Sequence, residues 1–237
     1  MAPPFTQVFS TKKPIIGMIH CAGNTPKEKT QRALEELTIY QEEGIDGAIV
    51  EDYHGEYEDV YQVLQSSKER YPGLVIGLNL LRKSYPVFGL AQTHGIRYIQ
   101  FDSIPTSDIT TEIYDQKRRE FPDLAILGGV GFKYIPATGN PLQHDLEKGR
   151  SRYDAIVTTG TGTGIETPLE KLRQYKSLLG QFPLIVGAGV TASNAYEQLS
   201  IADGAIVGSY FKSEGDTQSP VKRHKVRELM KIVRQLR

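Results

Sequence analysis

Tryptophan is absent from this 237-residue chain, methionine occurs three times and cysteine once. The lone cysteine, Cys21, cannot close an internal disulfide, which excludes a disulfide-stapled secreted scaffold. No apolar run approaches the roughly 20 residues that a membrane-crossing helix needs. The opening Met1-Ala2-Pro3-Pro4 has neither the charged segment nor the apolar core of a secretory leader. Net charge is missing too, since 28 Lys and Arg face 28 Asp and Glu. With 39% hydrophobic and 24% charged residues, the remaining expectation is a soluble, cytoplasmic globular protein, one domain over residues 1–237 with a sizeable core.

Repetition is what the sequence does have. Between Tyr153 and Phe211 the runs Ala155-Ile156-Val157, Leu184-Ile185-Val186 and Ala205-Ile206-Val207 are apolar and β-branched without alternation, as in strands covered on both faces of a parallel sheet. Each leads into glycine: Thr159-Gly160 onward to Gly164, then Gly187-Ala188-Gly189, then Gly208-Ser209. Glycine admits tight turns and lets a ligand approach bare N–H groups, and a following helix start attracts anions. A single glycine-rich turn is usually only a connection. In (β/α)₈ barrels, however, a phosphate site is commonly built from the loops after strands seven and eight, so five earlier βα units become the requirement.

They are legible. Pro14 to His20 reads as a first strand, and Thr25-Pro26-Lys27-Glu28 opens a helix as a capping box that Gly44 ends. Gly47 to Asp52 is a second strand, followed by a helix through Val60, Val63 and Leu64. Leu74 to Asn79, Arg97 to Asp102 and Leu124 to Gly129 are the third, fourth and fifth strands. Their helices pass through Val87 to Ala91, Thr111 to Glu120 and Leu142 to Lys148. Thr167-Pro168-Leu169-Glu170 reads as another capping box. Eight units without a break predict a single (β/α)₈ TIM barrel with phosphate-binding loops after strands seven and eight.

Charge is unevenly placed along the chain. From Val221 to the end, seven basic residues face only Glu228, about +6. Such a tail suits nucleic acid or an anionic membrane, yet Val226, Leu229, Met230, Val233 and Leu236 fall at helical spacing and require cover. A final barrel helix with a solvated basic face is the preferred reading, and a nucleic-acid partner the disfavoured one. A homo-oligomer stays open.

Residues at the C-terminal ends of barrel strands face one mouth. Here these are His20, Glu51, Asp52, Asn79, Arg82, Asp102, Lys133 and Thr159. Singly each has a plain alternative, such as Asp52 binding a loop N–H. Together with the glycine cup they supply acids, an amide and a cation for acid/base chemistry on a phosphorylated metabolite. Glu51 or Asp102 is the expected general base, and Lys133 an electrophile or Schiff-base amine. Substrate contacts are expected from His20, Asp52, Asn79, Arg82 and Thr159, and phosphate contacts from Gly160, Gly187, Ala188, Gly189, Gly208 and Ser209. No cofactor is expected, and no obligatory metal, because adjacent acids without a His/Cys cluster lack ligand spacing.

The segments Lys13 to His20, Gly77 to Arg82, Asp154 to Gly160 and Ala202 to Lys212 resemble the BtpA family, over nearly the whole chain. That resemblance implies a (β/α)₈ barrel and a phosphate site more firmly than any reaction, and Glu51, Asn79, Arg82 and Lys133 are its matched positions. The sequence departs from the family pattern at Cys21 to Thr25, at Asp52, at Gln100 and at Tyr134. The leading expectation is an isomerase- or lyase-type enzyme on a phosphosugar or phosphoribosyl compound. The rival is a non-catalytic biogenesis or ligand-sensing factor that keeps the barrel and cup.

Overall fold

Eight short strands pair in chain order and close on themselves in the computed structural model, which describes residues 4–67 and 69–237. They are β1 (Ile15–Ile19), β2 (Gly47–Glu51), β3 (Val75–Asn79), β4 (Tyr98–Phe101), β5 (Ala125–Gly129), β6 (Ala155–Thr158), β7 (Leu184–Val186) and β8 (Gly204–Val207). Every ladder is parallel, and β1 pairs with both β2 and β8. The helices are α1 (Pro4–Val8), α2 (Pro26–Glu43), α3 (Tyr57–Ser67), α4 (Val87–His94), α5 (Thr111–Glu120), α6 (Leu142–Arg152), α7 (Leu169–Leu179), α8 (Ala195–Ile201) and α9 (Arg223–Gln235). The predicted (β/α)₈ barrel is therefore the fold. Met1 to Pro3, on which the leader was judged, lie outside the described residues. Among the described residues no helix is long and apolar enough to cross a membrane.

Side chains alternate along a strand, so one parity points into the barrel. That parity carries Ile16, Met18, Ile49, Tyr98, Leu127, Val157, Ile185 and Ile206 into an inner apolar cluster. Its next steps toward the C-terminal end are His20, Glu51, Gln100, Asp102, Thr159, Gly187 and Gly208. The same alternation sets Asn79 two residues beyond Gly77, whose missing side chain makes room for Tyr98. A Cβ on Gly77 would lie 2.4 Å from that ring, and the Tyr98 hydroxyl donates to Ala48 O at 2.9 Å.

Two further features were not foreseen. The lower end of the barrel is closed by α1 and its sequel, where Phe5, Val8 and Phe9 join the inner cluster. The Phe9 ring sits 5.1 Å from that of Tyr98. Five helical residues are too few to show a period. Acids that precede strands also clamp the lower rim: Asp46 accepts from Ile15 N at 2.7 Å, Asp154 from Ile126 N at 2.8 Å and Asp203 from Leu184 N at 2.9 Å.

The helix signals held in part. Thr25 caps α2 by accepting from Glu28 N at 3.2 Å, and Gly44 ends it with φ 81°. Glu28 reaches back to Asn24 N–H at 3.0 Å instead of to the N–H of the cap itself. The second capping box does not form. Pro168 takes the cap position without a side-chain bond. Thr167 is fully buried and donates to Ala188 O at 3.4 Å, so a tertiary contact outcompetes the local one.

Helix α9 buries Val226, Leu229, Met230 and Val233. Basic residues of α9 meet acids at the end of α2, where Arg227 binds Glu43 at 3.0 and 2.8 Å and Arg223 binds Glu42 and Glu43, and beyond the helix Arg237 pairs with Asp46 before β2. These bonds hold the Glu43 carboxyl below its usual range, Arg227 contributing most.

Candidate active site

At the C-terminal end of the strands Asn79 joins two acids. Its side-chain amide donates to Glu51 Oε1 at 2.9 Å and to Asp102 Oδ1 at 3.3 Å, and Gln100 Nε2 donates to the same Asp102 oxygen at 3.0 Å. Burial pushes the Glu51 carboxyl up to about 8, with the charge of Asp102 adding to the effect and Lys133 and Asn79 opposing it. Asp102 is raised as well, by burial, against the pull of Gln100, Lys133 and Asn79. Two carboxyls thus share one amide, and Glu51 keeps a proton well above the ordinary carboxyl range, the condition for one acid and one base side by side. His20, next along the wall, is held well below the usual imidazole range, first by burial and then by the charge of Lys212, so its ring is neutral.

The glycine loops close the other side. Gly187, Ala188, Gly189, Gly208 and Ser209 line one cavity of about 170 Å³ together with His20, Glu51, Gln100, Asp102 and Lys133. The N–H groups of Gly187, Phe211 and Lys212 are engaged by Thr158 O, Gly208 O and Ser209 O. Among the described residues those of Ala188, Gly189, Gly208 and Ser209 have no acceptor in the chain. Gly189 has φ +70°, and a Cβ there would lie 2.3 Å from Glu166 N. Glycine is therefore required at this turn by the neighbouring loop. A short 3-10 helix, Ser209–Phe211, follows β8, and the final helix α9 begins later, at Arg223.

Not every expected site residue reaches the cavity. Asp52 follows Glu51 by one position and so points to the opposite face, where it accepts from Leu81 N at 2.7 Å and Arg82 N at 3.4 Å. Arg82 is exposed, donating to Gly55 O and pairing with Glu56 at 2.7 Å. Asn79 is buried beneath the acids and positions them. Thr159 accepts from Lys133 N at 2.6 Å and donates to Gly160 O at 2.9 Å. It thereby fixes the Lys133 loop, and with Gly160 it faces a neighbouring groove.

Sequence reading assigned no site role to Gln100, Tyr53, Leu81, Tyr134, Thr163 and Gly164, which also line the cavity. Gln100 alone had a signal, a polar residue inside a strand two positions before Asp102. Tyr134 accepts from Thr163 N at 3.0 Å across two loops, a contact that no spacing announces.

Comparison with known proteins bears on the family and the fold. Residues 11–235 match the model of the BtpA family. The chain is similar to the photosystem I biogenesis protein BtpA of Synechocystis, at 25% identity over 91% of this chain and 86% of that one. Among solved structures it superposes on thiamine phosphate pyrophosphorylase of Pyrococcus furiosus with a TM-score of 0.65 and 16% identity, covering 94% and 96% of the two chains. Phosphoribosyl anthranilate isomerase of Thermococcus kodakaraensis superposes with 0.63 and 16%, covering 94% and 99%. Those two likenesses are of fold. The family match spans all eight strands, and the chain belongs to the BtpA family.

Proposed function

We propose that this protein is an enzyme that moves a proton on a phosphorylated small molecule, with Glu51 and Asp102 as the acid/base pair. The observation that carries the reading is that the acid pair and the loops with unengaged N–H groups open on one cavity. A phosphate bound at Ala188, Gly189, Gly208 and Ser209 would anchor the molecule, and its binding energy would hold the reacting carbon beside the acids. In an isomerisation, one carboxylate takes a proton from the carbon next to a carbonyl while its protonated partner gives one to the carbonyl oxygen. The reverse exchange at the neighbouring carbon completes the turnover and restores both groups. Lys133 would stabilise negative charge on the oxygen as it develops. A lyase would use the same groups, with a carbon–carbon bond broken in place of the carbon–hydrogen bond. The names of both structural neighbours refer to phosphorylated compounds, in keeping with this reading.

A thermal-shift screen of inorganic phosphate, phosphorylated sugars and nucleotides tests it. A ligand at about 100 times its Kd stabilises by about 2.7 kcal/mol. Glu51→Gln and Asp102→Asn are expected to keep that shift while turnover falls by roughly 10² to 10⁴. Normal turnover in both variants would refute the assignment. The name of the Synechocystis relative favours a second reading, a biogenesis factor that senses a ligand without converting it. Stabilisation by phosphate compounds with no turnover of any of them is its signature.

A further inference from the structure

We propose that the deep end of this cavity is built for the hydroxyl-bearing end of a phosphorylated polyol or open-chain sugar and rejects a carboxylate there. The inference rests on the phosphate reading of the loops after β7 and β8, and adds what the opposite end of the substrate must be.

Gln100 carries the argument. The residue is 4% exposed and lines the cavity. Nε2 donates to Asp102 Oδ1 at 3.0 Å, which fixes the amide, since the reversed orientation would set oxygen against oxygen. Gln100 Oε1 is left buried without a partner in the chain. The carboxyls of Asp102 and Glu51 beside it bring further oxygens. Asp102 Oδ1 and Glu51 Oε1 already take the Asn79 and Gln100 donors, and the second oxygen of each carboxyl is not engaged by any of these bonds. His20 Nδ1 is a second buried polar atom without a partner, on a neutral ring that lies beside Gly208 at the other side of the cavity and offers one donor and one acceptor.

Among the residues lining the cavity, Lys133 is the sole Lys or Arg. The cavity therefore has two poles, backbone donors at the glycine loops and acceptors around Gln100. A buried acceptor left unmatched is costly, and a site shaped to receive a hydroxyl discriminates strongly against a ligand that cannot donate. A hydroxyl donates to Gln100 Oε1 or to a carboxylate oxygen and accepts from Lys133 or protonated Glu51. A carboxylate has no hydrogen to donate and would set its charge against Asp102.

Glucitol 6-phosphate and 6-phosphogluconate differ only at C1, a CH₂OH in one and a carboxylate in the other, so titration calorimetry with both at pH 7, alongside inorganic phosphate, tests the assignment on the unaltered protein. Glucitol 6-phosphate is expected to bind at least tenfold more tightly. Gln100→Met is expected to narrow that gap about tenfold while leaving the affinity for inorganic phosphate unchanged. Equal binding of the two compounds, or tighter binding of 6-phosphogluconate, overturns the hydroxyl assignment while phosphate binding stands. If inorganic phosphate binds and neither six-carbon compound does, the hydroxyl assignment again falls alone. If nothing binds, or Gly208→Val and Ser209→Pro leave binding untouched, the phosphate reading falls and takes this inference with it.

Discussion

Replacing Lys212 with methionine isolates one of the few interactions in this barrel that is both charged and almost free of solvent. Lys212 follows the 3-10 turn after β8 and is 1% exposed; Glu36 of α2 is 3% exposed, and Nζ lies 2.5 Å from Oε1. The same Glu36 oxygen accepts from Val221 N at 3.1 Å, so the pair ties the loop after β8 to α2. Burial is the first cause of both perturbations: it raises the Glu36 carboxyl and lowers the Lys212 ammonium, each against the pull of its partner. Desolvation thus outweighs attraction, and the pair is a constraint on placement more than a source of stability. Lys212→Met strands a buried carboxylate and should cost about 3 to 5 kcal/mol in urea unfolding at pH 7. Without the cation the folded carboxyl rises further above the unfolded value of about 4.3, so the native state holds a proton that the unfolded chain does not. Stability then falls as pH rises between those two values, and the deficit should be smallest near pH 4.5. The double variant Glu36→Gln, Lys212→Met keeps an acceptor for Val221 N–H and removes both charges, so it should recover most of the loss. A double variant as unstable as the single one, or a deficit that does not shrink in acid, would refute the reasoning.

Other outcomes follow from the same contacts. Glu51 titrates near 8 in the fold and near 4.3 when unfolded, so it opposes folding increasingly from about pH 4.3 to 8. Glu51→Gln should unfold at higher urea than the parent at pH 8, with the difference vanishing toward pH 4.5, and a constant offset would count against a buried neutral acid. Gly189→Ala forces a side chain into left-handed backbone and onto Glu166 N, and should lower both Tm and phosphate affinity. An unchanged Tm would show that the two loops yield freely. Leu229→Ala, at a site with no exposure, should cost about 2 to 5 kcal/mol by chemical denaturation, whereas a loss of only nucleic-acid or lipid binding would restore the adaptor role for the basic tail.

Much of the barrel was written locally. Gly44 after Tyr40, Thr25 before Pro26 and Glu28, and eight short strand-like runs each describe their own stretch of backbone, because caps, turns and periods act within a few residues. Local rules failed where a distant partner made the better offer, as when Thr167 left its capping position for Ala188 O. They were silent about α1 and the residue after it, where Phe5 and Phe9 matter only once Tyr98 lies above them.

The sequence by itself determined the repeat, the closed parallel topology it demands and which residue types stand at the strand ends. Tertiary structure alone decided which of those residues share a cavity. Strand parity turned Glu51, Gln100 and Asp102 inward and Asp52 away, and Arg82 was drawn to Gly55 and Glu56. Asn79 became the bridge between two acids that are 51 residues apart in the chain, Glu51 and Asp102. Burial of Glu51 itself, with the charge of Asp102 beside it, raised its carboxyl to about 8 against the pull of Asn79. A carboxyl group's proton affinity depends on the dielectric and the charges around it, and those are assembled only when the barrel closes.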